Sequence, residues 1–372
     1  MSTTQWTVAF TKATTWRTAE SVGANDGLVI TQESMPEGIP EPIKDENIGD
    51  SLVRDTYQGN INAEGAFSEN VRFEGFERRL ALFMADHTAT AATPEVGAAT
   101  HTLEFQPTNN GLFGTLVMDK GLGALGSALW EYPSLKLSQL ELSHDNGRLI
   151  AAWTAMVDRC VRTVADQVND GTSMGAVTNP TDSLMTIFQQ MKVFITEVTG
   201  SEGNLDNADI VQVSALNISV NRNLEGDHVS ADANDVSGVI DEPVTGGSLP
   251  SGTITMTFPQ YTTAVDTLLK AAQEVQAGRQ AKRYKITVVW TGPPIPGTAT
   301  PTNYLFAIDI ASAKIMAGPA QGQGPGQKVP VELGFDIVTA DAAGDGTDWA
   351  WVVSGESTFR ARLINTSTTE FA

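Results

Sequence analysis

Few residues in this chain stand in arrangements that could do chemistry. Gly121-Leu122-Gly123-Ala124-Leu125-Gly126 has the G-x-G-x-x-G spacing that, at a helix start, permits a tight turn and close approach of a phosphate. Such a site needs a helix to continue from it, and Pro133 stops one begun at Ser127. No strand–helix–strand pattern surrounds it, so a loop is the simpler reading. Gly322-Gln323-Gly324-Pro325-Gly326 is weaker still, because Pro325 removes a backbone N–H that a phosphate loop would use. His87, His101, His144 and His228 fall in expected loops and edges, with no i, i+4 pair of the kind that holds zinc on a helix. His144 adjoins Asp145, but a hairpin turn accounts for both. No G-x-S-x-G nucleophile turn occurs. Asp341, Asp345 and Asp348 place hard oxygen ligands in a Gly-rich loop, and calcium is the metal they would suit. Their spacing fits no EF-hand loop, and an acidic turn explains them. Cys160 is the one cysteine and reads as a small core residue, which excludes an intramolecular disulfide. The expectation is therefore a protein with no catalytic residue, no cofactor and no metal.

What the elements must position is then an architecture. A length of 372 residues allows two domains of ordinary size, and 41% hydrophobic residues exclude a disordered chain. Gly (34) and Pro (17), with frequent Thr and Val, favour strands joined by turns. A net charge of −21 is the reverse of what a sequence-independent DNA binder needs, though it suits a surface that DNA passes without sticking. The polar start and the absence of a long apolar run predict folding in the cytoplasm with no membrane anchor.

Alternation predicts strands around Leu28–Ile30 and at Gly59–Phe67, Thr102–Gln106, Leu112–Asp119, Leu135–Ser143 and Arg148–Val157, the last two joined by a tight hairpin at Asn146-Gly147. Helical spacing predicts a helix over Phe76–Asp86. The loop Glu33–Thr56, with Pro36, Pro40 and Pro42, should hold no regular element, and 163–182 reads as a polar loop. Leu184–Thr199 reads as a short helix running into a strand, and Thr199–Asp209 as a linker. The second half repeats this order: strands at Leu216–Val220 and Gly252–Phe258, and a helix over Tyr261–Ala277 with Ala264, Val265, Leu268, Leu269, Ala272 and Val275 on one face and Gly278 as its cap. Strands follow at Tyr284–Trp290, Tyr304–Ile310 and Lys328–Val338. Leu28 and Ile30 align with Leu216 and Ile218 at an offset of 188, Gly59 and Ile61 with Gly252 and Ile254 at 193, and Leu149–Val157 with Val329–Ile337 at 180. The reading is mainly β, with two tandem units, 1–200 and 201–372, each carrying one flanking helix.

Charge is concentrated in two loops that this alignment makes equivalent. Glu33, Glu37, Glu41, Asp45, Glu46 and Asp50 stand against Lys44 alone, and Glu225, Asp227, Asp232, Asp235, Asp241 and Glu242 against no cation. Basic residues gather near the helices, at Arg78 and Arg79 in the first half and at Lys270, Arg279, Lys282, Arg283 and Lys285 in the second. Segregation of this kind suits head-to-tail stacking of subunits, and solvated loops also explain it.

Two stretches resemble the tail tube proteins of long-tailed bacteriophages. One is Ser51–Met84, with Gly59-Asn60-Ile61 and then Phe73-Glu74-Gly75-Phe76 leading into a helix; the other is Val193–Glu225, where a strand ends in Asn221-Arg222-Asn223-Leu224-Glu225 before a long loop. The resemblance departs at Thr291–Thr302, at 318–327 and beyond Ala340. It implies β-sandwich or barrel units whose sheets join into a β-lined channel, with six units to a ring. A duplicated chain would then form trimeric, pseudo-hexameric rings, with hexameric rings as the alternative. The rings would stack through the acidic loops and the basic residues named above. The implied setting is the virion tail, assembled in the host cytoplasm with other tail proteins, with genome DNA passing through unbound. A second reading is a carbohydrate-binding or adhesin β-sandwich, whose mark would be aromatics such as Trp130, Trp290, Trp349 and Trp351 exposed on one strand face.

Overall fold

Alternating apolar and polar residues turn most of the chain into strands. A computed structural model describes residues 6–37, 40–44, 56–61, 64–91, 97–121, 129–179, 184–198, 205–226, 241–246, 250–276, 282–298, 301–317, 331–339 and 358–368, with backbone alone at 40–44, 56–61, 275–276 and 316–317. In chain order the elements are β1 (Thr7–Ala13), β2 (Ile30–Glu33), β3 (Pro40–Lys44), β4 (Thr56–Ile61), β5 (Glu64–Asn70), α1 (Phe76–Met84), β6 (Thr88–Ala91), β7 (Ala99–Glu104), β8 (Phe113–Asp119), β9 (Leu129–Asp145), β10 (Arg148–Val157) and α2 (Gly171–Ala176). There follow β11 (Met191–Glu197), β12 (Ile210–Val211), β13 (Ala215–Asn221), β14 (Leu224–Glu225), β15 (Val244–Thr245), β16 (Ser251–Phe258), α3 (Thr263–Gln276), β17 (Arg283–Pro294), β18 (Asn303–Ala317), β19 (Val331–Ile337) and β20 (Phe359–Asn365). Sixteen strands form one antiparallel sheet, which does not close into a barrel among the described residues. The pairs β3·β4 and β14·β15 are separate two-stranded ribbons at the bases of the two acidic loops.

The strand neighbours repeat. In the first half the order across the sheet is β1–β8–β9–β10–β5–β2, and in the second β11–β17–β18–β19–β16–β13. Each position in one series has its counterpart in the other, in the same chain order, with α1 and α3 at the same point. Irregularities of register coincide as well. Ala155 faces Leu137 and Thr154 faces Gln139, leaving Ser138 as an extra residue; Phe335 faces Ile315 and Gly334 faces Ala317, leaving Met316 extra. Likewise Gly114 faces Leu135 and Leu116 faces Tyr132, as Tyr284 faces Ala313 and Ile286 faces Ile310. Bulges at matched points are specific features rather than accidents of alternating strands.

This geometry keeps the offset of 180 for β10 and β19 and corrects the other two. Gly65 lies opposite Ala155 as Ile254 lies opposite Phe335, so the counterpart of β16 is β5 at 189, not the Gly59–Ile61 stretch. Ser34, whose N–H bonds the Ala66 carbonyl, takes the place of Asn217, moving the first offset from 188 to 183. The cause is the inserted ribbon: Gly59 and Ile61 belong to β4 and pair with β3 instead. That ribbon also corrects the expectation that the prolines forbid a regular element. Pro40 and Pro42 sit in β3 on either side of a register shift, where a missing N–H is tolerated. The expected polar loop 163–182 contains α2, whose N-cap Asp170 accepts from the N–H groups of Thr172 and Ser173.

One apolar cluster runs through both series. Phe76, Leu80, Phe83 and Met84 of α1 are fully buried, and nine residues of helix persist because tertiary packing holds them. Phe76 and Phe83 pack against Trp153 of β10 with centroids at 5.9 and 5.7 Å, and Phe76 meets Phe306 of β18 at 5.5 Å. In α3 the buried face is Val265, Leu268, Leu269, Ala271 and Ala272; Ala264 is exposed, and Gly278 lies outside the described residues. The Asn146-Gly147 hairpin forms as expected, with φ of 48° and 80°. Gly147→Ala should lower the unfolding free energy by about 1 kcal/mol in urea titration, since a Cβ disfavours that conformation.

Asp158 is buried, accepts the Ser134 N–H at 3.1 Å, and its carboxyl pKa is pushed up to about 6 by desolvation. A carboxylate whose folded pKa is raised favours the fold fully below its ordinary value near 3.8, and this contribution is lost as pH rises through about 6. Asp158→Asn should therefore match wild type near pH 4 and exceed its stability above pH 6, by up to ~3 kcal/mol from the size of the shift. A stability difference independent of pH would contradict this.

Candidate assembly interface

The two series meet where β9 outruns β8. The described pairing with β8 stops at Leu135, and the edge of residues 139–143 is taken by β13, from Ser143 opposite Asn217 to Gln139 opposite Asn221. Leu140 and Leu142 lie opposite Val220 and Ile218, all four buried. Asn217 Nδ2 donates to Glu141 Oε1 at 2.6 Å and Gln139 Nε2 to Ser219 Oγ at 3.1 Å. The second ribbon then folds over the first series. Lys136 Nζ donates to Glu242 Oε1 at 2.6 Å and to the Pro243 carbonyl at 2.7 Å; the Gly111 N–H reaches the same carboxylate at 2.7 Å, and Thr245 Oγ1 donates to the Pro107 carbonyl. Burial of Lys136 pushes its pKa down, and Glu242 opposes that shift.

Arg222, at the end of β13, enters the aromatic core of the first series and is fully buried. Its Nε donates to the Phe83 carbonyl at 2.5 Å and Nη1 to the Gln106 carbonyl at 3.0 Å. The guanidinium lies 4.2 Å from the Phe105 ring centroid and 5.3 Å from that of Phe83. It thus meets a carbonyl of the last turn of α1, where cations are favoured, and two π faces that offset part of its desolvation. Asn221 Oδ1 accepts the Asn223 N–H at 2.7 Å, and Asn223 takes a positive φ of 50°. The Asn221-Arg222-Asn223 motif is therefore a turn that aims Arg222 inward.

A second seam is made by β20, a strand that sequence reasoning missed. It pairs with β18 on one side and β7 on the other. Asp309, buried in β18, accepts from Arg360 at 2.9 Å, from Arg362 at 2.5 Å and from Thr287 Oγ1 at 3.1 Å. Of the four histidines expected to be scattered, two meet: β6·β7 pairing brings His87 Nε2 to 2.8 Å from His101 Nδ1, while His144 packs elsewhere and His228 lies outside the described residues. His101 Nε2 lies 2.9 Å from Asn365 Oδ1, and Asn365 Nδ2 donates to the Phe73 carbonyl and to Glu77 Oε2. Burial raises the Glu77 pKa.

The charged residues singled out in the sequence do not form one patch among the described residues. Glu33 pairs with Lys120 at 2.6 Å, and Glu242 with Lys136. Glu37, Glu225 and Asp241 are exposed, and Glu41 lies in β3. Arg78 pairs with Asp26 and Lys282 with Glu197, each at 2.8 Å. Arg79 is buried, in a two-bond pair with Glu69, whose carboxylate also accepts from Trp153 Nε1. Asp45, Glu46, Asp50, Asp227, Asp232, Asp235 and Arg279 lie outside the described residues, as do Asp341, Asp345, Asp348 and most of the G-x-G-x-x-G run. Among the described residues no His, Cys, Asp and Glu cluster could hold a metal ion, and no helix is long and apolar enough to cross a membrane.

The seams of this mainly β chain are strand edges, buried charge pairs and aromatic packing. A family model described as phage tail tube protein matches residues 4–337. The chain belongs to that family. It is a structural tail tube protein of the phage virion, and membership implies assembly with itself and with other tail proteins. Comparison with curated proteins returns no match.

Proposed function

We propose that the chain is a duplicated tube subunit, units 1–200 and 201–372, three copies of which close a pseudo-hexameric ring. The rings stack into a tube through which genome DNA passes during ejection. The observation carrying this is the twice-repeated strand order with matched bulges. A unit with open sheet edges calls for neighbours, and ring closure covers them. The net charge of −21 supports a channel that does not retain DNA. The loops 33–50 and 225–242 rise from ribbons that stand apart from the main sheet, which suits contact between rings. Negative-stain microscopy of the purified chain should show rings and tubes; dispersed monomers at every salt and protein concentration would refute the reading. Shortening the loop between β3 and β4 should stop tube growth while the circular dichroism melt stays within a few degrees of wild type. Normal tubes from that variant would remove the loop from the stacking contact. The glycan-binding alternative loses support from the burial of Trp130 and Trp290.

A further inference from the structure

Across the repeat, the outer edges of β2 and β13 differ in what covers them. Ser34 corresponds to Asn217, and the match extends to side chains: Thr31 Oγ1 donates to the Ser68 carbonyl at 3.2 Å, as Ser214 Oγ does to the Thr257 carbonyl at 3.2 Å. Backbone N–H groups alternate between the two sides of a strand. The Ser34 N–H turns to β5, so the next one, that of Met35, turns to the outer edge. Its counterpart Ile218 lies opposite Leu142 of β9, and the Arg222 N–H, on the same side of β13, donates to the Ser138 carbonyl of β9 at 2.8 Å. No strand lies on the outer edge of β2 among the described residues. There the Met35 N–H donates instead to Glu33 Oε2, at 2.8 Å.

Glu33 is held in that place. Its Oε1 accepts from Lys120 Nζ at 2.6 Å, and both side chains are largely buried. The Lys120 ammonium in turn lies 5.1 and 4.7 Å from the ring centroids of Trp6 and Trp130. The second unit has no such device: Leu216 stands for Glu33 and Trp290 for Lys120, and His144, from the hairpin that begins in β9, packs on Trp290. A carboxylate therefore caps the edge where it is open, and an apolar residue takes its position where a strand covers the edge.

We infer that Glu33 is a removable cap on an assembly edge, and that the strand which displaces it belongs to a second copy of this chain. The inference rests on the ring reading above and names the receiving half of its lateral contact. The occupant follows from the repeat. β13 is covered by β9 of the other unit, and the counterpart of β9 is β18. In the sheet order β18 is separated from β2 of its own chain by β19, β16, β13, β9, β10 and β5. The second unit of another copy is thus the donor, and the contact is head-to-tail. Until it arrives, the carboxylate satisfies the N–H and keeps the bare edge from pairing at random.

The test uses the full-length chain. Glu33→Ala should leave the Met35 amide exchanging freely in the monomer, read by hydrogen–deuterium exchange, and protection should return in rings. The lag before rings appear in light scattering should shorten roughly fivefold or more, the factor carried by one hydrogen bond. Glu33→Gln, which keeps an acceptor, should retain both the protection and the lag. In wild-type protein a zero-length carbodiimide crosslink between Lys120 and Glu33 is expected in monomers and lost in rings. If that crosslink persists in rings, or if Glu33→Ala rings leave Met35 unprotected, the inference is wrong while the ring reading stands. Protection that returns only with other tail proteins present would assign the edge to them and overturn it. If wild type never associates, alone or with other tail proteins, both fall.

Discussion

Replacing Arg222 with alanine should lower the unfolding free energy by about 3–5 kcal/mol, from the cavity left by a large buried side chain and from two carbonyls that lose a charged donor. The side chain is fully enclosed, so its loss opens a void between Phe83 and Phe105 and leaves the Phe83 and Gln106 carbonyls without their donor. Arg222→Met separates these effects. It refills the aromatic slot and removes the charge, so the remaining cost should be about 1–3 kcal/mol, from the carbonyls alone. Urea unfolding followed by tryptophan fluorescence measures both variants. An alanine variant within 1 kcal/mol of wild type would mean that the seam is held by strand pairing and not by this residue.

Asp309→Ala should be nearly as costly, about 3 kcal/mol or more, because it strands two arginines on one strand. Arg360 and Arg362 both converge on this buried carboxylate, and Thr287 donates to it from β17. The position is structurally matched in the first series by Glu131, also buried, which accepts the Val168 and Asn169 N–H groups. Hydrogen exchange should accelerate most across Phe359–Asn365 and its neighbours Leu305–Ile310. Uniform acceleration throughout the chain would indicate global unfolding rather than release of one strand.

Much of the sheet was legible because its strands are half-buried and alternate. Arg148–Val157 and Ser251–Phe258 appear almost where expected, since one face of each is apolar at every second residue. The Asn-Gly turn was legible because few residues accept its backbone angles. β3 was illegible because its two prolines, Pro40 and Pro42, mask pairing that a free-standing ribbon tolerates. β20 alternates like the strands that were read, with Phe359, Ala361 and Leu363 buried, but what no local pattern shows is that it closes between β18 and the distant β7, where Ala361 pairs with Leu103. The counterpart of β16 was misplaced because alternation has period two, and the slip of four residues preserves every apolar position; the slip of five at β2 includes the register shift between Ile30 and Gln32, which alternation does not show. The seam was half legible. The motif around Arg222 stood out as a resemblance, but nothing local indicates that an arginine points into an aromatic core. His144 shows the same limit. A turn sequence accounts for its place in the chain, yet it packs on Phe188 and Trp290, and burial pushes its pKa down to about 4.

The placement of β20 bears on how the molecule is made. Because this strand closes against both β18 and β7, a nascent polypeptide still emerging from the ribosome has two uncovered ladder edges until residue 365 is out. The long sequence separation makes that closure a late event in folding. Synthesis must therefore pass residue 365 before these two edges are settled, and a product that stops short of it carries bare strands that invite aggregation instead of orderly polymerisation.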